Sequence, residues 1–183
     1  MKIYNKNQFV LLGLAFLLLG LSACGQSSFK KAKVLNEQGL VDFEKGLFDA
    51  AIDKYDQAIL ISPKYGPSYN NRGHAYTVNQ QFALALMDYK KAIELDSDDF
   101  ETYANRGLCY YYQDNVDQAF DDYNKAIELN PKDGDAYRYR GFVYFYNKKD
   151  TFQGCSDWRK ACELDETLCE AYEKEKQKGG CIL

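Results

Sequence analysis

The 183-residue chain has one histidine, one tryptophan, two methionines and three prolines. Each scarcity excludes something. Three prolines rule out a proline-rich stalk. The single histidine, His74, has no cysteine beside it to form a Cys/His pair, and the carboxylates recur at regular intervals instead of clustering. General acid–base or metal-dependent chemistry needs such groups brought together. The chain is therefore expected not to be an enzyme, with no catalytic residue, no metal site and no cofactor. Its net charge of −4 comes with no basic block, which makes nucleic acid a poor partner. The longest apolar run, Phe9 to Leu21, is thirteen residues, short of the ~20 that cross a bilayer. What remains is a globular balance of 46% hydrophobic and 27% charged residues, with 16 tyrosines, more than a core alone requires.

The N-terminus reads as an export signal. Lys2 and Lys6 precede the apolar run with no acid between, the charged and apolar regions of a secretory leader. Removing residues 1–23 deletes those two lysines and takes the net charge from −4 to −6. The stretch Leu21-Ser22-Ala23-Cys24 resembles the lipobox of bacterial lipoproteins. That resemblance implies cleavage before Cys24, a diacylglyceryl group on its thiol and an acylated new N-terminus, enough acyl chains for durable anchoring. Residues 24–31 would then be a lipidated cysteine and tether, with Gly25–Ser28 flexible. Gly25, where that family's inner-membrane signal has Asp, implies an outer-membrane location facing the periplasm or the cell surface. An ordinary leader cleaved after Ala23 would instead release a soluble protein.

Beyond the leader the sequence repeats with a period of 34. "AYTVNQQFALALMDYKKAIELDSDDFETYANRG" recurs as "CYYYQDNVDQAFDDYNKAIELNPKDGDAYRYRG". Position 8 of the unit is Gly39, Gly73, Gly107 and Gly141; position 27 is Ala58, Ala92, Ala126 and, after one inserted residue, Ala161. Position 32 is Pro63, Ser97 and Pro131. These marks resemble the tetratricopeptide repeat, each unit a helix–turn–helix. The implied fold is all-α: a right-handed superhelical solenoid of four repeats (32–65, 66–99, 100–133, 134–165) and a capping helix with tail at 166–183. The repeat's small residues permit close helix approach, and Tyr55, Tyr89, Tyr123 and Trp158 would fill the space between paired helices. Arg72, Arg106 and Arg140 at position 7 accompany Asp88, Asp122 and Asp157 at position 23, whereas the first unit has Gln38 and Lys54. Residues that appear and vanish together read as an ion pair inside each repeat.

Five cysteines remain after Cys24. Cys155 and Cys162, seven apart on one implied helix, are ~10.5 Å apart along its axis, too far for a bridge or a shared zinc. Of three connectivities for the C-terminal four, the repeat's antiparallel helices favour the nested set, Cys162–Cys169 with Cys155–Cys181. Cys109 reads as a buried thiol.

By the same resemblance, the first helix of each unit lines a concave groove that takes extended peptides. Its residues would be Asn36, Leu40 and Phe43, then Asn70, Asn71 and His74, then Asn105, Leu108, Tyr111 and Tyr112, and finally Arg138, Tyr139, Phe142, Phe145 and Tyr146. Asparagine can hold a peptide backbone with paired donor and acceptor, and tyrosine adds rigid contact area. Some family members grip a C-terminal carboxylate with basic residues around a central asparagine. Here Asn71 or Asn105 could be that asparagine, but the flanking positions hold Asn36, Leu40 and Glu101, or Asn70, His74 and Asp135. The expected role is a membrane-anchored scaffold binding an envelope protein through the groove, with a glycan or peptidoglycan binder as the alternative.

Overall fold

The structure, a computed structural model, describes residues 26–181. Residues 1–25, which hold the expected leader and Cys24, and the last two residues lie outside the described residues. The chain divides after Tyr65 into two compact units, each taken by itself.

The first unit is one helical hairpin, α1 (26–44) and α2 (Phe48–Ile61). Residues 26–31, expected as part of the tether and flexible as far as Ser28, are helical. The reason is a ring contact: Phe29 meets the edge of Tyr65 at 5.0 Å, beside a core of Ala32, Ala58 and Tyr65, so the helix extends to carry it.

The second unit holds three hairpins and a cap. They are α3 (Gly66–Val78) with α4 (Phe82–Leu95), α5 (Phe100–Tyr112) with α6 (Val116–Leu129), and α7 (Gly134–Phe142) with α8 (Thr151–Leu164). A 3₁₀ turn, Glu166–Leu168, leads into α9 (Glu170–Gln177). Among the described residues there is no strand, and no helix is long and apolar enough to cross a membrane.

Each hairpin closes on an aromatic ring lying against a glycine. A Cβ built on Gly107 would stand 2.7 Å from the ring of Tyr123, and one on Gly73 would stand 2.9 Å from that of Tyr89. No other residue leaves the ring that space. Tyr55, Tyr89, Tyr123 and Trp158 are all buried to within 1%.

The arginine and aspartate pairs are present in all three hairpins of the second unit. Arg72 donates to both oxygens of Asp88 at 2.7 Å, and Arg106 donates to those of Asp122 at 2.7 and 2.8 Å. Arg140 reaches Asp157 at 2.8 and 2.9 Å. Each guanidinium also lies over two tyrosine rings about two turns apart on its own helix. These are Tyr69 and Tyr76 for Arg72, Tyr103 and Tyr110 for Arg106, and Tyr137 and Tyr144 for Arg140, at 5.4 to 5.9 Å. Cation–π contact adds to the bidentate pair. Six of the tyrosines thus belong to the scaffold.

Every hairpin turns through one left-handed residue: Gly46, Gln80, Asp114 and Lys149. In the second and third hairpins the next amide reaches five residues back, Gln81 to the Tyr76 carbonyl and Asn115 to that of Tyr110, which closes the helix end. In the fourth the span is six, from Asp150 to Tyr144. The inserted residue is therefore inside the first helix, as a π-turn over Val143–Asn147, not in the loop. This turn moves Phe145 inward, 4.9 Å from Trp158, which removes it from the expected groove set. It also explains why Gly154 stands where the other repeats have Ala51, Ala85 and Ala119. A Cβ on Gly154 would lie 2.8 Å from Cβ of Phe145 and 3.0 Å from its amide nitrogen.

The cap is tied to α8 by two disulfides. Cys155 joins Cys181 (Cα atoms 5.5 Å apart) and Cys162 joins Cys169 (4.5 Å). By loop closure alone these contribute about 3.5 and about 2.5 kcal/mol. Gly179, at φ +77°, ends α9, and the Gly180 amide returns to the Glu175 carbonyl at 2.9 Å. Cys109 is a buried free thiol.

Gly154→Ala separates a packing constraint from helix propensity. Alanine in a helix interior ordinarily stabilises by up to ~1 kcal/mol. Here overpacking against the π-turn is expected to destabilise by about 1–3 kcal/mol in urea unfolding, and a gain in stability would contradict the assignment.

Candidate functional site: a groove along the first helices

The first helices of the second unit present three adjoining hollows. The widest, of about 480 Å³, is lined by Asn71, His74, Glu101, Asn105, Asp133, Asp135 and Tyr139, among others. The next, about 240 Å³, is lined by Leu108, Tyr111, Tyr112, Tyr123, Tyr139 and Phe142. A third, about 230 Å³, lies against the cap, with Arg138, Phe142 and Tyr146 on one wall and Thr167, Leu168, Glu170, Ala171, Lys174 and Glu175 on the other. Tyr139 is common to the first two and Phe142 to the last two, so the hollows run together as one strip.

Within it the structure separates the expected residues. Asn71, His74, Asn105, Tyr111, Tyr112, Arg138, Tyr139 and Tyr146 line the strip. Asn70 does not: it is buried at 3% exposure and accepts a hydrogen bond from Asn105 Nδ2 at 3.1 Å. Asn36, in the first unit, is likewise buried, at 4%. Both are corrections to the expected groove set. Asparagine type alone suggests a ligand group, but these two sit where the helices pack, and their amides are shut away from any ligand.

The polar end is acidic. Burial, reinforced by Asp99 and Asp133, pushes the Glu101 carboxyl above its ordinary range. Burial and then Asp135 do the same for Asp133, although its side chain also caps α7 by accepting from the Asp135 amide. Asp135 is neutralised by Arg138 at 2.7 Å, and the Arg138 guanidinium lies 4.2 Å from the centre of the Tyr139 ring. Burial lowers the His74 pKa, so this histidine is neutral at pH 7.

The aromatic end is uncharged and carries an unsatisfied group. In the second repeat the buried Tyr89 hydroxyl pairs with Thr77 at 3.0 Å. In the third, Tyr111 replaces that threonine, and the Tyr123 hydroxyl is left without a hydrogen-bond partner. Burial, then Tyr139, Tyr111 and Tyr112 around it, pushes its pKa above the ordinary range, so it stays protonated. An orphaned buried hydroxyl costs about 1–3 kcal/mol. Tyr112 and Tyr146 are exposed at the rim, at 58% and 46%. Tyr146 stacks one face on Phe142, with its hydroxyl directed to Glu175.

Sequence reasoning missed two parts of this strip. The Asn130–Asp133 segment lies between repeats, outside the first helices. The α9 wall has no repeat register at all. In the sequence, Glu101 and Asp135 stand out only as unsuited to a carboxylate clamp.

Paired helices stacked so that one helix of each pair lines a shared strip define a helical-repeat binding protein. The chain belongs to the tetratricopeptide-repeat family: sequence models of that repeat match residues 67–99, 100–133 and 39–79, together more than half of it. It is 39% identical over 59 residues to mitochondrial import receptor subunit TOM34 of Pongo abelii, a match to 32% of this chain. That match takes in 19% of the relative, so this chain corresponds to about a fifth of it. The structure of the first TPR of Spaghetti (RPAP3) bound to the HSP90 peptide SRMEEVD is 29% identical, with TM-score 0.60, over 64% of this chain and 93% of that one. PilF of Pseudomonas aeruginosa has the same fold at TM-score 0.73 and 18% identity, over 84% and 73%.

The two equivalent tyrosines should respond oppositely to loss of the hydroxyl. Tyr89→Phe is expected to cost about 1 kcal/mol in urea unfolding, and Tyr123→Phe to be neutral or stabilising. Equal losses would show that Tyr123 has a partner after all.

Proposed function

We propose that the protein is a lipid-anchored adaptor of the bacterial cell envelope that binds a segment of another envelope protein along the strip of its first helices. The observation that carries the binding role is the strip itself, with two half-exposed tyrosines, Tyr112 and Tyr146, at its rim. The family mediates protein–protein interaction, and the RPAP3 relative holds a peptide. That peptide is acidic, whereas this strip presents Glu101, Asp133 and Asp135, so the same ligand class is not expected here. Export and anchoring rest on the lipobox at Cys24, and two cap disulfides fit an oxidising compartment. Nothing in this role calls for catalysis. A second reading, glycan or peptidoglycan binding, is favoured by the exposed rings of Tyr112 and Tyr146, which are suited to sugar stacking.

The test expresses the full chain in bacteria fed an alkyne-bearing palmitate, followed by crosslinking and pull-down from membranes. The wild type is expected to carry the label and Cys24→Ser to lose both label and membrane association. Tyr112→Ala with Tyr146→Ala should keep the label and lose protein partners. An unlabelled wild type would contradict anchoring; undiminished partner recovery by the tyrosine variant would contradict the groove. Co-sedimentation of the purified chain with peptidoglycan sacculi, abolished by the same two substitutions, would favour the glycan reading instead.

A further inference from the structure

Resting on that reading, we propose that the segment bound in the strip is basic, and that the tyrosine cavity anchors one of its lysine or arginine side chains. Two independent features meet there. The first is the cavity's chemistry. Leu108 and Phe142 offer apolar walls for an aliphatic stem, while Tyr111, Tyr112 and Tyr139 offer ring faces, the environment that attracts a desolvated cation. At its floor the Tyr123 side chain is 99% buried, and its hydroxyl, surrounded by the Tyr139, Tyr111 and Tyr112 phenols, has no partner. The cationic head of an occupant would lie against these ring faces, beside the exposed Tyr112.

The second feature is the field beside the cavity. Tyr139 is also a wall of the acidic hollow, so an occupant of one approaches the other. Arg138 is already committed to Asp135, and among the residues lining that hollow Lys132 alone opposes Glu101 and Asp133. Glu101 forms no ion pair among the described residues, and burial first, then the neighbouring Asp99 and Asp133 charges, push its carboxyl above the ordinary range. A cation arriving there offsets those charges; a carboxylate adds to them. Complementary charge of this kind selects partners and speeds encounter.

The test uses the full chain in detergent micelles and four fluorescent pools of nine-residue peptides, capped at both ends. The centre is fixed as Lys, Arg, Leu/Phe or Asp/Glu and the other positions vary over neutral residues. Anisotropy is expected to show the Lys or Arg pool binding at least about fivefold more tightly than either other pool, the advantage shrinking in high salt. Glu101→Gln with Asp133→Asn, which keeps a capping side chain on α7, should reduce that preference several-fold. Exposed Tyr112→Ala should weaken the basic pools by about tenfold. Tightest binding of the Leu/Phe pool would make the cavity an apolar anchor and overturn the inference while leaving the groove reading standing. Tightest binding of the Asp/Glu pool would overturn it in the same way. Binding of no pool would overturn both.

Discussion

Everything in the second unit depends on a guanidinium held between a carboxylate and two tyrosine rings. Arg72, Arg106 and Arg140 each bridge the two helices of a hairpin and fix how the first helix is rotated about its axis. That rotation decides which residues face the groove. The pair is not a cheap source of stability. Burial pushes the Asp122 carboxyl up more strongly than Arg106 pulls it down, so its benefit lies in geometry as much as in energy. Once Arg106 is set, Tyr123 must rest on Gly107, and Asn105, Leu108 and Tyr112 must line the strip.

The same constraint shows how a repeat protein varies. Exchanging one residue at position 12 moves the third repeat from a satisfied phenol, as in Tyr89 with Thr77, to an orphaned one in an aromatic cavity. Inserting one residue in the fourth does not lengthen a loop. It makes a π-turn that turns Phe145 into the core beside Trp158 and is accommodated by Gly154. The cap, pinned to α8 at Cys155 and Cys162, then supplies the far wall of the strip. Scaffold residues keep their register while groove chemistry changes around them.

This division also explains what could be read from the sequence. Gly107, Ala126, Arg106 and Asp122 recur at fixed spacing because each answers a local steric or electrostatic demand, and a period of 34 makes such demands visible. The fold and the ion pairs were legible for that reason. The ligand-facing surface is assembled from positions with no common demand. Asn70 and Asn36 have the right residue type but lie buried. Tyr123 has the packing signature of Tyr89, and only the replacement of Thr77 by Tyr111 marks it as different. The surplus of tyrosine, read as core and groove wall, divides in three, with six rings serving the arginines.

The measurement that bears most directly on this account compares stability with binding in Arg106→Gln. Breaking the partly buried pair strands Asp122 and should cost about 2–3 kcal/mol in urea unfolding. Below the unfolding transition, crosslinking to membrane partners should weaken no more than stability does, since Arg106 acts on the strip only by holding α5 and itself faces Asp122. Unchanged stability with partner crosslinking abolished would contradict it, making the repeated arginine a ligand contact and not the element that sets the groove.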